Sequence, residues 1–172
     1  MAVLSFSCGY RAVYGNGEAE RLHVTLSRSL LPYAVASDEV VSGAREELAR
    51  EGALASGDGY PRIEIEVLRA DESSEGIDAV SGQPRARATE VGLVARAWLV
   101  RERDAPRERD TGDVRAMDLL GVDLRAGELD SRRDAFLHDA ALRSLARRVG
   151  KRLAARILGN PVAVDEGIGR ER

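Results

Sequence analysis

Apolar residues recur with a period of two along several stretches of this chain. In Arg21 to Leu26, leucine and valine occupy every second position, which is typical of a strand with one buried face. Similar runs predict further strands at about Arg62 to Arg69, Arg85 to Arg101 and Asp113 to Val122. Between the second and third strands, the acidic stretch Asp71 to Pro84 contains serine and glycine, and it indicates a long hairpin loop.

A helix is predicted between the first two strands. Ser37 and Asp38 are good N-cap residues for it, and its apolar positions continue to about Glu51. Gly52 follows directly, and glycine is the usual residue at the left-handed position that ends a helix.

A second, longer helix is predicted near the carboxy terminus. It starts with a cap at Asp130 or Ser131 and runs to about Leu158, where the sequence Gly-Asn-Pro stops it. Its two faces differ in chemistry. The apolar face is formed by Ala135, Leu142, Leu145, Ala146, Val149, Leu153 and Ile157. The basic face is formed by Arg143, Arg147, Arg148, Lys151 and Arg152. This basic face either meets water or attracts anionic headgroups.

The order of these elements is β-α-β-β-β-α. Because strands two to four follow one another directly, the helices cannot serve as crossovers throughout. The sequence therefore predicts an α+β fold, a mostly antiparallel four-stranded sheet with two helices packed on one face. We expect one domain over residues 21–160 and a flexible tail over 161–172. The second face of such a sheet is free to meet water or a partner.

Composition narrows the functional classes. The net charge is −3, and the chain has two histidines and one cysteine, so it lacks the strong basic field of a nucleic-acid-binding protein. An internal disulfide is impossible, and the histidines have no metal-ligand spacing. The sequence contains neither a nucleophile elbow nor a Walker loop. We therefore expect no enzyme, no cofactor and no metal site.

The single cysteine, Cys8, is the most informative residue. It follows the short apolar stretch Met1 to Ser7 and precedes Gly-Tyr, which is how a mature bacterial lipoprotein begins. The cysteine is then the acyl acceptor, residues 1–7 are the end of a signal peptide, and residues 8–20 are the lipoprotein's amino-terminal segment. On spacing alone, a free thiol in a flexible start fits equally well.

The chain resembles the lipopolysaccharide-assembly lipoprotein family (LptE). The features it shares are C-G-Y from Cys8 with Gly15 soon after, a strand, a capped helix ending near Gly52, a two-strand hairpin and a long Arg/Ala/Leu helix. The resemblance covers Cys8 to about Leu158. It implies an α+β domain anchored by Cys8 at the periplasmic face of the outer membrane. It also implies two partners: the LptD β-barrel, whose lumen the domain plugs, and lipopolysaccharide.

Four residues of the third strand are candidates for contact with these partners. Arg85, Arg87 and Arg96 are the lipopolysaccharide-binding candidates, because guanidinium forks suit the phosphates of lipid A; alternatively, they solvate the sheet. Trp98 shares a face with Arg96 if the strand is regular, and it is the candidate anchor for the partner interface. A bulge near Thr89 would instead place Trp98 in the core.

Two other functions fit the same pattern. One is another envelope lipoprotein with a similar α+β binding domain, such as an auxiliary subunit of a transport system. The other is a cytosolic interaction module, which requires Met1 to be the true start of the protein.

Overall fold

The computed structural model describes residues 20–32, 34–80, 83–123 and 129–160, with side chains described at 20–32, 34–73, 89–120 and 135–160. Within these ranges the chain forms six elements in the predicted order β-α-β-β-β-α. They are β1 (His23–Ser29), α1 (Ala34–Arg50), β2 (Arg62–Val80), β3 (Gln83–Val100), β4 (Val114–Asp123) and α2 (Leu129–Leu158).

The four strands form one sheet in the order β1-β2-β3-β4. The pairs β2–β3 and β3–β4 are antiparallel, whereas β1 and β2 are parallel because α1 carries the chain back between them. The predicted α+β fold with a mostly antiparallel four-stranded sheet is therefore confirmed.

The core lies between the sheet and the two helices, which cover the same face. Alternate residues of β2, namely Ile63, Ile65 and Val67, are fully buried against them. The helices supply a matching set of buried side chains. They include Val40, Ala44 and Leu48 of α1 and Leu145, Val149, Leu153 and Ile157 of α2. The apolar residues that recur every second position in the strands and about every 3.6 positions in the helices thus form a single core.

Both helices end as predicted, at a glycine in the left-handed conformation. At the end of α1, Gly52 has φ 69° and the Ala53 amide donates to the Leu48 carbonyl over 2.8 Å. At the end of α2, Gly159 has φ 78° and the Asn160 amide donates to the Ala155 carbonyl over 2.9 Å. These bonds satisfy carbonyls that the helix itself leaves without a donor.

The predicted helix starts were wrong. The first helix begins at Ala34, one turn before the predicted caps Ser37 and Asp38. Ser37 is buried inside it, and this is possible because its hydroxyl oxygen lies 2.7 Å from that of Ser29 in β1. The second helix begins at Leu129, just before its predicted caps. Ala135, expected on the apolar face, is exposed because the core contact of α2 starts only at Ala141.

The predicted loop at Asp71 to Pro84 was also wrong. β2 and β3 stay paired through this stretch, as far as Val80 opposite Gln83. The two strands pair first where their side chains are buried. Because the backbone hydrogen bonds of a ladder do not depend on side-chain type, the pairing can extend into a stretch that has no apolar alternation. Irregularities at Gly76 and Asp78 absorb the mismatch in register. Strand β1 likewise continues past its predicted end, to Ser29.

The helices cross where a glycine from each meets the backbone of the other. A Cβ atom at Gly43 would fall on the carbonyl oxygen of Arg147, and a Cβ atom at Gly150 would fall on that of Val40. The missing side chains therefore allow the two backbones to touch. Ion pairs flank the crossing, from Arg147 to Glu39 and from Lys151 to Glu46, the latter at 3.0 Å.

Replacing Gly43 by alanine tests this contact. Alanine favours a helix by about 1 kcal/mol over glycine, but here its methyl group would lie 2.3 Å from the backbone oxygen of Arg147. Because backbone must move to relieve this contact, we expect a cost at the upper end of the overpacking range, about 3 kcal/mol. We expect a net loss in the free energy of unfolding, measured by denaturant titration. The control Ser144→Ala, at an exposed position of α2, should be neutral or slightly stabilising. Unchanged stability in Gly43→Ala would contradict the close approach.

Candidate functional site at the outer face of the sheet

The face of the sheet opposite the helices carries charged residues and one tryptophan. On β2, Arg62, Glu64 and Glu66 alternate with the buried core residues and so point to this side. The register places Glu64 opposite Trp98 and Glu66 opposite Arg96 on β3. We call this surface the outer face.

Trp98 is buried although it lies outside the main core. Its side chain is only 2% exposed. The guanidinium of Arg107 lies 3.6 Å from the centre of its ring, and that of Arg96 lies 5.6 Å away. The indole N–H donates to a carboxylate oxygen of Glu64 over 3.1 Å. The strand parity that places Trp98 beside Arg96 is confirmed, but its side chain is covered instead of open to a partner.

The cover comes from the loop between β3 and β4. Leu99 and Glu108 exchange two backbone hydrogen bonds of 2.7 Å, and the Thr111 amide donates to the Ala97 carbonyl over 2.9 Å. The loop thus occupies the edge of β3 before β4 begins, which holds Arg107 above Trp98. The sequence offers no local signal for this contact, because it depends on a backbone pairing.

Ion pairs cover the rest of this end of the outer face. Two nitrogens of Arg96 donate to the same carboxylate oxygen of Glu66, over 3.0 and 2.9 Å. The hydrogen bond to Glu66 and the negative charge of that carboxylate raise the pKa of Arg96 above its usual value. Arg62 pairs with Glu64 and stacks 4.4 Å from the ring centre of Tyr60. Glu66 is only 8% exposed, so the pair of Arg96 with Glu66 is largely shielded from water on the carboxylate side.

The candidate arginines do not lie together. Arg87 pairs with Gly76 and Val122 in the other half of β3. Arg96 lies nine positions further along the chain, which is roughly 30 Å along a strand. The side chains of Arg85 and Arg87 lie outside the described residues, as do Cys8 and most of the segments proposed at 1–7, 8–20 and 161–172.

The sequence did not single out three other arginines near Arg96. Arg28 on β1 stands opposite Glu66, and Arg69 and Arg115 flank Val94 in the next row of the sheet. Arg69 and Arg115 contact Asp71. Within the described part of the chain, Arg28 and Arg107 have no carboxylate partner, and both are exposed. Only the strand register could have revealed this grouping.

A second surface lies between the helices near the start of α1. It is a cavity of about 420 Å³ whose walls are mostly apolar. Its lining comprises Pro32, Ala34, Val35, Ala36, His138, Asp139, Leu142 and Arg143. Arg143 and Asp139 form an ion pair of 2.8 Å at its rim.

No protein-family model matches this sequence, and no curated protein matches it. The fold, however, is similar to two solved structures. A minor lipoprotein from Acinetobacter baumannii has a TM-score of 0.50 at 13% identity, over 80% of this chain and 92% of that one. The rare lipoprotein B from Shewanella oneidensis has a TM-score of 0.51 at 11% identity, over 80% of this chain and 97% of that one. At these identities the likeness is one of fold.

None of the described helices is long and apolar enough to cross a membrane. Within the same part of the chain, no three histidine, cysteine or carboxylate side chains converge as metal ligands would.

Removing the Arg107 side chain should uncover Trp98. Trp98 is the only tryptophan, so its fluorescence reports this site alone. In Arg107→Ala we expect red-shifted emission, stronger quenching by acrylamide and a loss of about 0.5–1 kcal/mol in the free energy of unfolding. Arg103→Ala, an exposed position in the same loop, is the matched control. If emission and quenching in Arg107→Ala equal those of the unchanged protein, the stacking is absent in solution.

Proposed function

We propose that this protein is a lipid-anchored lipoprotein of the Gram-negative outer membrane. In this proposal it plugs and assists the LptD β-barrel during lipopolysaccharide transport. The observation that carries the proposal is a fold similar to those of two bacterial lipoproteins. Cys8, followed by Gly-Tyr, supplies an acyl acceptor ahead of that fold.

The point where the chain enters the domain suits such an anchor. Glu20 forms an ion pair with Arg101 at the end of β3, and Arg101 also pairs with Glu108 over 2.9 Å. The chain therefore enters at the same end of the sheet as Trp98. Cys8 lies twelve positions before Glu20, so the backbone of Cys8 would lie within about 40 Å of this end.

The outer face has properties that a barrel plug requires. A plug needs a surface that is formed before its partner arrives, because ordering side chains on binding costs affinity. The pairs of Arg62 with Glu64 and of Arg96 with Glu66 hold this face in place. Arg107 and Arg28 remain for a partner's carboxylates or backbone carbonyls. Trp98 remains our candidate interface residue. Because Arg107 covers its ring, a partner would contact Arg107 first and Trp98 only after Arg107 moved aside.

For lipopolysaccharide we propose contact through Arg96, with Arg85 and Arg87 as a separate group. Arg96 forms an ion pair with Glu66, and its side chain is 40% exposed. A phosphate would therefore bind the Arg96 guanidinium together with the Glu66 carboxylate. A guanidinium is well suited to this because it has five donors in a planar fork.

One experiment tests both the anchor and the barrel. The chain, with its native leader and a carboxy-terminal tag, is expressed in a Gram-negative host and captured from detergent-solubilised outer membranes. We expect palmitate labelling and one LptD-type barrel per copy of this chain. Cys8→Ala should lose the label and the membrane association, because acyl chains supply most of the affinity for the bilayer.

The negative outcomes are distinct. Equal labelling of Cys8→Ala would exclude the lipoprotein assignment. A labelled protein that captures a transport-complex subunit and no barrel would favour the auxiliary-subunit function instead.

The arginine groups are tested by binding to purified lipopolysaccharide. Arg96→Gln is combined with Glu66→Gln, because removing Arg96 alone would leave a buried carboxylate without a partner. This pair and Arg85→Gln/Arg87→Gln should each weaken binding by about 1.5–3 kcal/mol if their guanidiniums bond to phosphate. Added salt should weaken binding of the unchanged protein. Arg50→Gln, at the exposed end of α1, is the control, and equal affinities in all variants would remove these residues from the proposal.

A further inference from the structure

The loop between β3 and β4 is tied to α2 as well as to β3. We call this loop, residues 101–113, the cover loop. The guanidinium of Arg109 donates to the carbonyl of Ile157 in the last turn of α2 over 3.0 Å. In the opposite direction, Arg156 of α2 donates to the carbonyl of Thr111 over 3.0 Å. Because α2 packs on the core face of the sheet, the cover loop joins the end of this helix to a contact on the outer face.

Arg109 has a backbone conformation that is unfavourable for arginine. Its φ is 45°, in the left-handed region where a Cβ atom crowds the backbone. If the pairing of Leu99 with Glu108 continued, the next residue of the loop would stand opposite Trp98, on the outer face. The left-handed residue instead turns the chain, and the Arg109 side chain reaches α2 on the other face. Such a conformation persists only where the surrounding contacts hold it.

The bond from Arg109 to α2 is a contact of this kind. The last carbonyls of a helix have no amide donor within the helix. In a continued helix the donor to the Ile157 carbonyl would be Pro161, which has no N–H. Arg109 supplies the missing donor, and its positive charge suits the negative end of the helix dipole. The cap on α2 and the strain at Arg109 therefore occur together.

We propose that Arg109 is a latch that keeps the cover loop closed over Trp98 and so blocks this residue until a partner arrives. While Arg109 caps α2, its strained backbone is held and Arg107 stays on the indole ring. When a partner draws Arg107 away, the loop leaves β3 and the backbone of Arg109 relaxes. The strain thus favours opening, and the cap opposes it. The blocking role rests on the proposed function, in which Trp98 is the interface residue, whereas the latch is a property of the free protein.

Substitutions at position 109 separate the cap from the strain. Arg109→Ala removes the cap and keeps the strain, whereas Arg109→Gly removes both, since glycine adopts the left-handed conformation freely. Opening is measured on the full chain by acrylamide quenching of Trp98 and by hydrogen exchange of the Leu99 and Glu108 amides, which bond to each other across the loop. In Arg109→Ala we expect stronger quenching and faster exchange than in the unchanged protein. Exchange should also be about tenfold faster than in Arg109→Gly, because glycine avoids the strain.

Three further variants complete this experiment. Arg109→Lys keeps a cation near the Ile157 carbonyl and should restore part of the protection. Arg103→Ala, exposed in the same loop, is the control and should leave both measurements unchanged. Circular dichroism checks the fold, and Arg109→Met, which also lacks the donor and keeps the strain, replaces Arg109→Ala if that variant does not fold. Exchange in Arg109→Ala equal to that of the unchanged protein, or equal to that of Arg109→Gly, would overturn the latch.

The blocking role is tested by capture from detergent-solubilised outer membranes. The chain with Arg109→Ala should retain severalfold more barrel protein than the unchanged chain, because Trp98 is already uncovered. If Arg109→Ala opens the loop but captures no more barrel, the loop does not control the interface and the blocking role is wrong. If neither chain captures a barrel, the proposed function and the blocking role both fail, whereas the latch is decided by the exchange measurement alone.

Discussion

The backbone contact between Gly43 and Gly150 constrains the rest of the fold. It brings α1 and α2 close enough to lie side by side over one four-stranded sheet, so that a single face is buried. Because α1 also joins the parallel strands β1 and β2, its position decides which side of the sheet becomes the core. The ion pairs of Arg147 and Lys151 beside the crossing are exposed, and such pairs contribute little stability.

The sequence predicted the features that depend on local periodicity. Residues such as Ile63, Ile65 and Leu145 recur with the period of their own element, so strand or helix and the buried side follow directly. The glycines that end both helices were predictable for a similar reason, since the left-handed conformation is a property of one position. The paired stretch after Asp71 was missed because its residues have no alternation. It is a strand only because β3 lies beside it.

The contents of the outer face could not be predicted from the sequence. Parity correctly placed Trp98 beside Arg96, but its burial depends on Arg107, which arrives through the pairing of Leu99 with Glu108. Likewise, Arg28 and Glu66 are neighbours only because β1 and β2 are parallel in a particular register. These contacts join residues that are far apart along the chain, and no local pattern encodes them.

The two faces of the sheet are therefore held by different interactions. The core face supplies stability through apolar burial. On the outer face, the pair of Arg96 with the largely buried Glu66 offsets a desolvation cost instead of adding much stability. Its consequence is a fixed pattern of charge, with the Arg107 guanidinium stacked on an aromatic ring. A partner that matches this pattern binds without rearranging it, whereas one that removes Arg107 or Arg96 from its present contacts must first replace them. The charge pattern of the outer face thus rests on contacts that the core does not need.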